Sequence, residues 1–230
     1  MRTTHDEPGA LRPLRTLRPG GGAVLDDTIP DIVIRRLPVY VRTLRELQSR
    51  GATSISSDEL AEQIGVTAAQ IRRDLSYFGR FGKQGKGYDA ERLAETIAKI
   101  LRLDRQWDVA LAGFGNLGQA IVHFHGFVPA SFNIAAIFDR NADAIGRDVN
   151  GVIIRGADDV TEEVARLGIK MGIIAVPAAA AQAITDAMID GGVDAILNYA
   201  PVVLKTPARV TVREVDPVSA MQSMTYYLDV

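Results

Sequence analysis

The sequence contains no cysteine among its 230 residues and only three histidines. The missing thiols exclude disulfides, thiolate zinc sites, iron–sulfur sites and redox switching by the protein's own sulfur. There is no run of about 18 apolar residues, so no transmembrane helix is predicted. The N-terminus lacks the apolar core of a signal peptide, and three histidines leave little scope for a metal cluster. These absences predict a cytoplasmic protein without membrane or metal partners.

Charge is distributed unevenly along the chain, although the formal net charge is only -2. Residues 31–88 hold ten basic and six acidic side chains, a net of +4. Residues 89–230 hold twelve basic and eighteen acidic side chains, a net of -6. A basic module joined to an acidic one is therefore expected, and each is long enough to bury a core of its own.

The apolar pattern predicts an α/β Rossmann-type parallel-sheet domain preceded by an all-α/winged-helix domain. Strands and helices alternate after Trp107, which is typical of a parallel sheet covered on both faces. Apolar periodicity is weak in the first 28 residues, where proline, glycine and arginine recur, so a disordered tail is expected there. The predicted boundaries are the tail at 1–28, the winged helix at 29–88, a connecting helix and linker at 89–106, the Rossmann domain at 107–215 and a last helix at 216–230.

The basic module is predicted to contain a helix-turn-helix. Residues 29–50 are helical in pattern, and Pro38 predicts two short helices there because proline breaks an interior backbone hydrogen bond. Ser56 and Thr67 each begin a capping-box pattern, and a short turn at Gly65 joins the two helices that follow, as in DNA-reading motifs. Those helices are predicted at 57–64 and 68–78.

The second of these helices carries the side chains expected to read DNA. Arginine can take both acceptors of a guanine edge, and glutamine both groups of an adenine edge. A glycine-lysine hairpin at 82–87 fits a wing that reaches phosphates or the minor groove. The predicted DNA-contacting residues are Thr67, Gln70, Arg72, Arg73, Ser76, Tyr77, Lys83 and Lys86.

The acidic module carries a dinucleotide-binding pattern. A G-x-G-x-x-G sequence at 113–118 follows a buried strand and opens a helix, which is the context that the motif requires. Asp139 ends the next strand, 21 residues after Gly118, where a carboxylate binds the ribose 2′-hydroxyl of NAD. That carboxylate favours NAD(H) over NADP(H), although the neighbouring Arg140 opposes the preference. The predicted cofactor-binding residues are Gly113, Phe114, Gly115, Asn116, Leu117, Gly118, Asp139, Arg140, Val176, Pro177, Asn198, Tyr199, Ala200, Pro201 and Asp216.

Catalysis is not predicted. The chain has no Tyr-x-x-x-Lys pair, and His123 and His125 fall on the helix after the glycine loop, an unsuitable place for a general acid. A DNA reader joined to a cofactor reader without chemistry is a sensor. Two alternatives stay open: a small NAD-dependent oxidoreductase with a helical appendage, and a winged-helix regulator that senses another nucleotide, such as coenzyme A or an adenine nucleotide.

The chain resembles the Rex family of bacterial redox-sensing transcriptional repressors over about residues 29–228. The matching stretch Ile71-Arg72-Arg73-Asp74-Leu75-Ser76-Tyr77-Phe78-Gly79 contains a specific block, from Arg72 to Gly79, and the spacing of this block to the glycine loop is specific as well. The remaining matching motifs are Ile29-Pro30, Arg36-Leu37-Pro38, Gly85-Lys86-Gly87-Tyr88, Gly113–Gly118, Asn198-Tyr199-Ala200-Pro201 and Val215-Asp216.

The resemblance implies a homodimer whose last helix is swapped onto the partner subunit. Such repressors bind palindromic operator DNA; NADH closes the dimer and releases the DNA, whereas NAD⁺ competes without releasing it. By the same resemblance, Arg42 and Asp216 belong to a charge network that responds to NADH. Phe124 stands where family members often have tyrosine, so this chain lacks one hydroxyl of that network.

Overall fold

A computed structural model describes residues 29–83, 87–127 and 130–228, without the side chain of Lys83. The predicted tail at 1–28 lies outside these residues. The chain divides into two compact units, which meet in sequence between Asp104 and Arg105. Within the described ranges, no helix is long and apolar enough to cross a membrane.

The first unit is helical with a small antiparallel sheet, in the strand order β1-β3-β2. Its core is one cluster of buried side chains from α1, α2, α3 and α4, so the predicted connecting helix packs inside this unit. The elements are α1 (Asp31–Ser49), β1 (Ser54–Ile55), α2 (Ser57–Ile64), α3 (Ala68–Ser76), β2 (Gly82–Lys83), β3 (Gly87–Asp89) and α4 (Ala90–Ile100).

Residues 31–49 form one helix, so the prediction of two short helices divided at Pro38 is wrong. α1 runs unbroken through Pro38. Leu37 before the proline and Tyr40 after it are both fully buried in the same core, whereas Pro38 itself faces outward. Burial of this continuous apolar stripe therefore offsets the backbone hydrogen bond that proline removes.

The helix-turn-helix has one complete capping box rather than two. The Ser56 hydroxyl accepts from the Glu59 backbone N–H, and the Glu59 carboxylate accepts in return from the Ser56 N–H. Thr67 accepts from the Gln70 N–H at 3.1 Å, but the Gln70 side chain donates to Asp74 instead of returning to the cap. The second predicted capping box is therefore only half formed, because a buried carboxylate competes for the amide.

The second unit is a seven-stranded sheet in the order β10-β9-β8-β4-β5-β7-β6. Every neighbouring pair is parallel except β6 with β7, and this short antiparallel edge was not predicted. The elements are β4 (Trp107–Ala112), α5 (Asn116–Val122), β5 (Phe132–Asp139), β6 (Asp148–Val149), β7 (Val152–Gly156), α6 (Val160–Leu167), β8 (Met171–Ile174), α7 (Ala178–Asp190), β9 (Ala195–Asn198), β10 (Thr211–Glu214) and α8 (Pro217–Met224).

Both faces of this sheet are buried, as predicted. Val109 and Leu111 of β4 pack into one apolar cluster, and Ala110 and Ala112 into the other. The chain continues from β4 to β5 on one side, then returns to place β8 on the other side of β4. Strand order therefore reverses at β4, which makes the carboxyl ends of β4 and β8 the expected ligand crevice of the sheet.

Candidate functional site

The glycine loop lies at this reversal of strand order. Gly113 follows β4 with φ +96°, and a Cβ there would lie 2.4 Å from the Ala175 carbonyl oxygen, just beyond β8. A Cβ on Gly118 would lie 1.9 Å from the Gly113 carbonyl oxygen. Gly115 differs, because a Cβ there would meet nothing within 4 Å. Two glycines thus allow close packing of the backbone, and the third keeps the outer side of the loop open.

Asp139 lies against this loop. Its carboxylate accepts hydrogen bonds from the Phe114 N–H at 2.5 Å and from the Asn141 N–H at 2.7 Å. The end of β5 is therefore tied to the turn after β4, and the predicted carboxylate and glycine loop lie together. Arg140 follows with an exposed side chain.

The predicted cofactor-binding residues at 176–177 and 198–201 lie at the same edge of the sheet as the glycine loop, because β4, β8 and β9 are parallel. Val176 is half-buried beside Gly113, where a Cβ would lie 3.0 Å from its side chain. Asn198 is buried and holds its own turn: it accepts from the Ala200 N–H and donates to the Val202 carbonyl oxygen, both at 2.9 Å. Tyr199 packs at the border of the apolar cluster that includes Phe114. Asn198 thus shapes the edge of the crevice, while Pro177 and Pro201 are exposed.

In the first unit, α3 turns a polar face to solvent. Arg72, Arg73, Ser76 and Tyr77 are exposed, and Gln70 is half-buried. The Arg72 guanidinium donates to the Ser57 hydroxyl of α2 at 2.6 Å, and the Ser76 hydroxyl to the Arg73 carbonyl oxygen at 2.7 Å. α3 therefore presents cations and hydroxyls along its exposed face, and Thr67 caps the N-terminus of the same helix.

The hairpin predicted at 82–87 is present as β2 and β3, whose backbones pair Gly82 with Tyr88 and Lys83 with Gly87. A Cβ on Gly87, at φ +70°, would lie 2.6 Å from the Ile55 carbonyl oxygen of β1. Glycine is thus needed where the hairpin packs on β1. The Lys83 side chain and Lys86 lie outside the described residues.

A fully buried carboxylate, that of Asp74, supports α3, and it is not among the site residues predicted from the sequence. Asp74 accepts from Arg36 Nε at 2.6 Å, Arg36 Nη2 at 2.8 Å, the Tyr40 hydroxyl at 2.6 Å and Gln70 Nε2 at 2.7 Å. Burial raises the pKa of Asp74, but the hydrogen bonds from Arg36, Tyr40 and Gln70 outweigh it, and the pKa lies below its usual value. The sequence feature that could have predicted this role is the position of Asp74, one helical turn from the apolar Ile71. A carboxylate on an apolar helix face needs hydrogen-bonding partners.

The predicted switch residues are divided between the two units. Arg42 is exposed on α1 of the first unit. In the second unit, Phe124 is 61% exposed and meets Phe127 edge-to-face at 5.4 Å. The Asp216 carboxylate caps α8 by accepting from the N–H groups of Val218 and Ser219. Across residues 29–83, 87–127 and 130–228, no three His, Asp or Glu side chains form a group that could hold a metal ion.

Two family models match the two units separately. The model described as "Putative DNA-binding protein N-terminus" matches residues 28–76. The model described as "CoA binding domain" matches residues 104–202. The division of the matches follows the division of the fold.

Relatives and solved structures match across both units. The redox-sensing transcriptional repressor Rex of Chloroflexus aggregans is 52% identical over 88% of this chain and 95% of its own length. The Rex protein of Roseiflexus sp. is 50% identical over 86% of this chain and 90% of its own. The crystal structure of RSP with β-NAD⁺ and operator DNA is 40% identical, with a TM-score of 0.83 over 86% of this chain and 92% of RSP. RSP with β-NADH is 38% identical, with a TM-score of 0.79 over 87% of this chain and 94% of RSP. With this identity over nearly all of both chains, the protein belongs to the Rex family of redox-sensing transcriptional repressors.

Proposed function

We propose that this chain is a homodimeric repressor which binds palindromic operator DNA and leaves it when NADH binds. The observation that carries the proposal is the glycine loop tied to Asp139 at the strand reversal, in one chain with a capped helix that presents two exposed arginines. The repressor names of the relatives, and the RSP complexes with NAD⁺ plus operator and with NADH, support it. A cytoplasmic location follows from the proposed operator.

The cofactor is proposed to lie over the glycine loop. The open side of Gly115 gives a pyrophosphate room to approach the backbone N–H groups. The Asp139 carboxylate is proposed to accept hydrogen bonds from the ribose hydroxyls, and its negative charge would repel a 2′-phosphate. Tyr199 and Asp216 are proposed to face the nicotinamide, where the two redox forms differ by a hydride and one positive charge.

DNA is proposed to contact the exposed face of α3 and the wing. Arg73 and Gln70 are assigned to base edges, and Thr67, Arg72, Ser76 and Tyr77 to positions around them. Lys83 and Lys86 are assigned to contacts with DNA phosphates. Such contacts contribute an affinity that falls as the salt concentration rises. In a symmetric dimer the two helices would read half-sites about one DNA turn, ~34 Å, apart.

Release requires two states of the dimer. NADH can shift their balance only through its different affinity for each. To change the ratio of the two states from 1:99 to 99:1, NADH must bind one state more favourably than the other by about 5.5 kcal/mol. NAD⁺ must lack most of this difference in binding free energy. Burial of the nicotinamide would supply such a difference, because an apolar pocket favours the neutral reduced ring over the cationic oxidised one.

The first prediction tests this function by a mobility shift on a palindromic site. NADH is expected to release the DNA, whereas NAD⁺ at equal occupancy leaves the complex intact and competes with NADH. Equal release by both forms contradicts redox sensing. Sustained NADH oxidation across common substrates would favour the oxidoreductase alternative.

The match of residues 104–202 to a CoA-binding model favours one further candidate, a regulator that senses coenzyme A. Calorimetric competition separates the two. Displacement of bound NADH by coenzyme A at comparable concentration would support that candidate, and no displacement would support NADH as the ligand.

The second prediction concerns Asp139→Asn. Loss of the charge is expected to weaken NADH binding about 10-fold, the worth of one hydrogen bond to a charged group. The preference for NADH over NADPH should fall as well, because repulsion of the 2′-phosphate is relieved. Titration calorimetry with both cofactors measures this, and operator affinity should stay unchanged.

Asp143→Asn is the matched control, since Asp143 is an exposed carboxylate four residues further on. It removes the same charge and should leave both affinities as they are. An unchanged NADH-to-NADPH ratio in Asp139→Asn would contradict the assignment of Asp139.

The third prediction concerns α8, whose apolar side chains have no cover in the described chain. Met221 and Met224 are 68% and 62% exposed, and burial of one such side chain is worth about 1.5–3 kcal/mol. Met221→Glu/Met224→Glu is therefore expected to weaken the dimer at least about 100-fold in sedimentation velocity. The control Gln222→Glu adds charge to the same helix and should sediment like the wild type. A dimer unaffected by the double change contradicts the swapped helix.

A further inference from the structure

The Asp74 carboxylate has all of its hydrogen-bonding capacity in use. An ionised carboxylate has about four acceptor positions. Oδ1 accepts from Arg36 and Gln70, and Oδ2 accepts from Arg36 and Tyr40. Since an ion can only accept, the end of the Gln70 amide that faces Asp74 must be its nitrogen. The contact therefore fixes which way round the amide lies.

This contact leaves Gln70 with a defined set of free groups. The amide nitrogen has two hydrogens, and Asp74 takes one of them at 2.7 Å. One N–H and the carbonyl oxygen remain. Gln70 also lines an open recess of about 210 Å³ between the start of α1 and α3, together with Ile32, Val33, Arg73 and Tyr77. Its side chain is half-buried, so part of it is accessible beside Arg73 and Tyr77.

We infer that Asp74 is a positioning residue that presents the amide edge of Gln70 to an adenine in each operator half-site. An adenine edge offers N7 as acceptor and the N6 amino group as donor. One N–H and one carbonyl oxygen of the same planar amide match that pair, which requires Asp74 to take the N–H that points away from the carbonyl oxygen. A free glutamine would have to lose its side-chain rotamer freedom on binding, whereas Asp74 has already restricted it. The inference rests on the proposed binding of DNA by α3.

The same network connects Gln70 to α1. Arg36 and Tyr40 both project from α1 onto Asp74, so the carboxylate is fixed from a second helix and does not depend on α3 alone. The amide of Gln70 is thus oriented by the packing of two helices.

The experiment is a base-pair scan of the palindromic operator, with each half-site position changed in turn. Wild type should show an A·T pair whose replacement costs about 5-fold to 150-fold in affinity, the range of one bidentate contact. Asp74→Asn turns an acceptor into a donor beside the donors of Arg36, Tyr40 and Gln70, so this penalty should vanish at that pair. Gln70→Leu should remove the same penalty at the same pair.

Two further variants keep the experiment decisive. Arg36→Met/Asp74→Leu replaces the buried pair by apolar side chains, a change that is often tolerated, and it should also lose discrimination at that pair. Asp58→Asn, an exposed carboxylate of α2, matches the charge change and should keep the wild-type scan. NADH affinity should be equal in all variants.

The outcomes separate this inference from the proposed function. If wild type binds no palindromic site, the proposed function fails. If wild type binds and the Asp74 variants keep the wild-type penalty at every position, the positioning role of Asp74 is overturned, whether or not Gln70→Leu loses that penalty.

Discussion

Gly118→Ala is expected to abolish the response to NADH while operator binding persists, so that the repressor stays on DNA. The new Cβ would lie 1.9 Å from the Gly113 carbonyl oxygen, which is backbone and can move only with the whole glycine loop. A displaced loop loses its N–H groups as phosphate donors, and two charge-assisted hydrogen bonds correspond to a loss of at least about 100-fold in NADH affinity. Titration calorimetry measures the expected loss of NADH affinity. A mobility shift with and without NADH measures whether operator binding persists.

Two other glycines provide controls, one for the stability of the loop and one for the addition of a methyl group elsewhere. Gly115→Ala has open space around its Cβ, so it should leave stability unchanged but still weaken NADH where the pyrophosphate approaches. Gly156→Ala has φ -66° and a nearest neighbour at 3.6 Å, so it should change neither property. NADH binding by Gly118→Ala at wild-type strength would contradict the placement of the cofactor on this loop.

Arg36→Met is expected to destabilise the first unit by about 3 kcal/mol. Asp74 would keep its charge in a fully buried place without its cation. Removal of one partner of a buried pair costs about 3–5 kcal/mol, and we expect the lower end because 21% of the Arg36 side chain is exposed. Urea unfolding followed by far-ultraviolet circular dichroism, with hydrogen exchange of the α3 amides, measures the loss.

The pH dependence should distinguish this variant from the wild type. In the wild type, the pKa of Asp74 is lowered in the folded state, so its stabilising contribution is present above about pH 4 and is lost as the pH falls below that. In Arg36→Met, burial without the cation raises the pKa of Asp74, so acidification should stabilise the variant. Arg35→Met, which removes an exposed partner of Asp31, should show neither effect. A wild-type pH profile in Arg36→Met would contradict the account of Asp74.

The parts of the fold that the sequence predicted well are those that depend on near neighbours. The alternation of strands and helices after Trp107, the Ser56 capping box and the glycine loop are local patterns, and each is present. Asp139 was predicted from its distance along the chain to Gly118, and it does lie beside the loop. Its hydrogen bond to the Phe114 N–H depends on which strands are neighbours, and spacing alone does not fix that order.

What the sequence could not supply depends on contacts between distant segments. Pro38 reads locally as a helix break, but the stripe that includes Leu37 and Tyr40 packs against one core and keeps α1 whole. Gln70 reads locally as a capping partner for Thr67, yet it turns to Asp74, whose other partners come from α1. In both cases tertiary packing outweighs the local preference.

In the proposed dimer, the exposed helix α8 would make the response of the repressor depend on its concentration. An eight-residue helix is too short to be stable alone in water, so its ordering and the pairing of subunits are expected to be one event. The population of paired, DNA-competent protein then follows mass action, and a cell that doubles its stock of the repressor changes that population as well as the number of molecules. A titration of the repressor at constant NADH should therefore give a steeper occupancy curve than one-to-one binding allows.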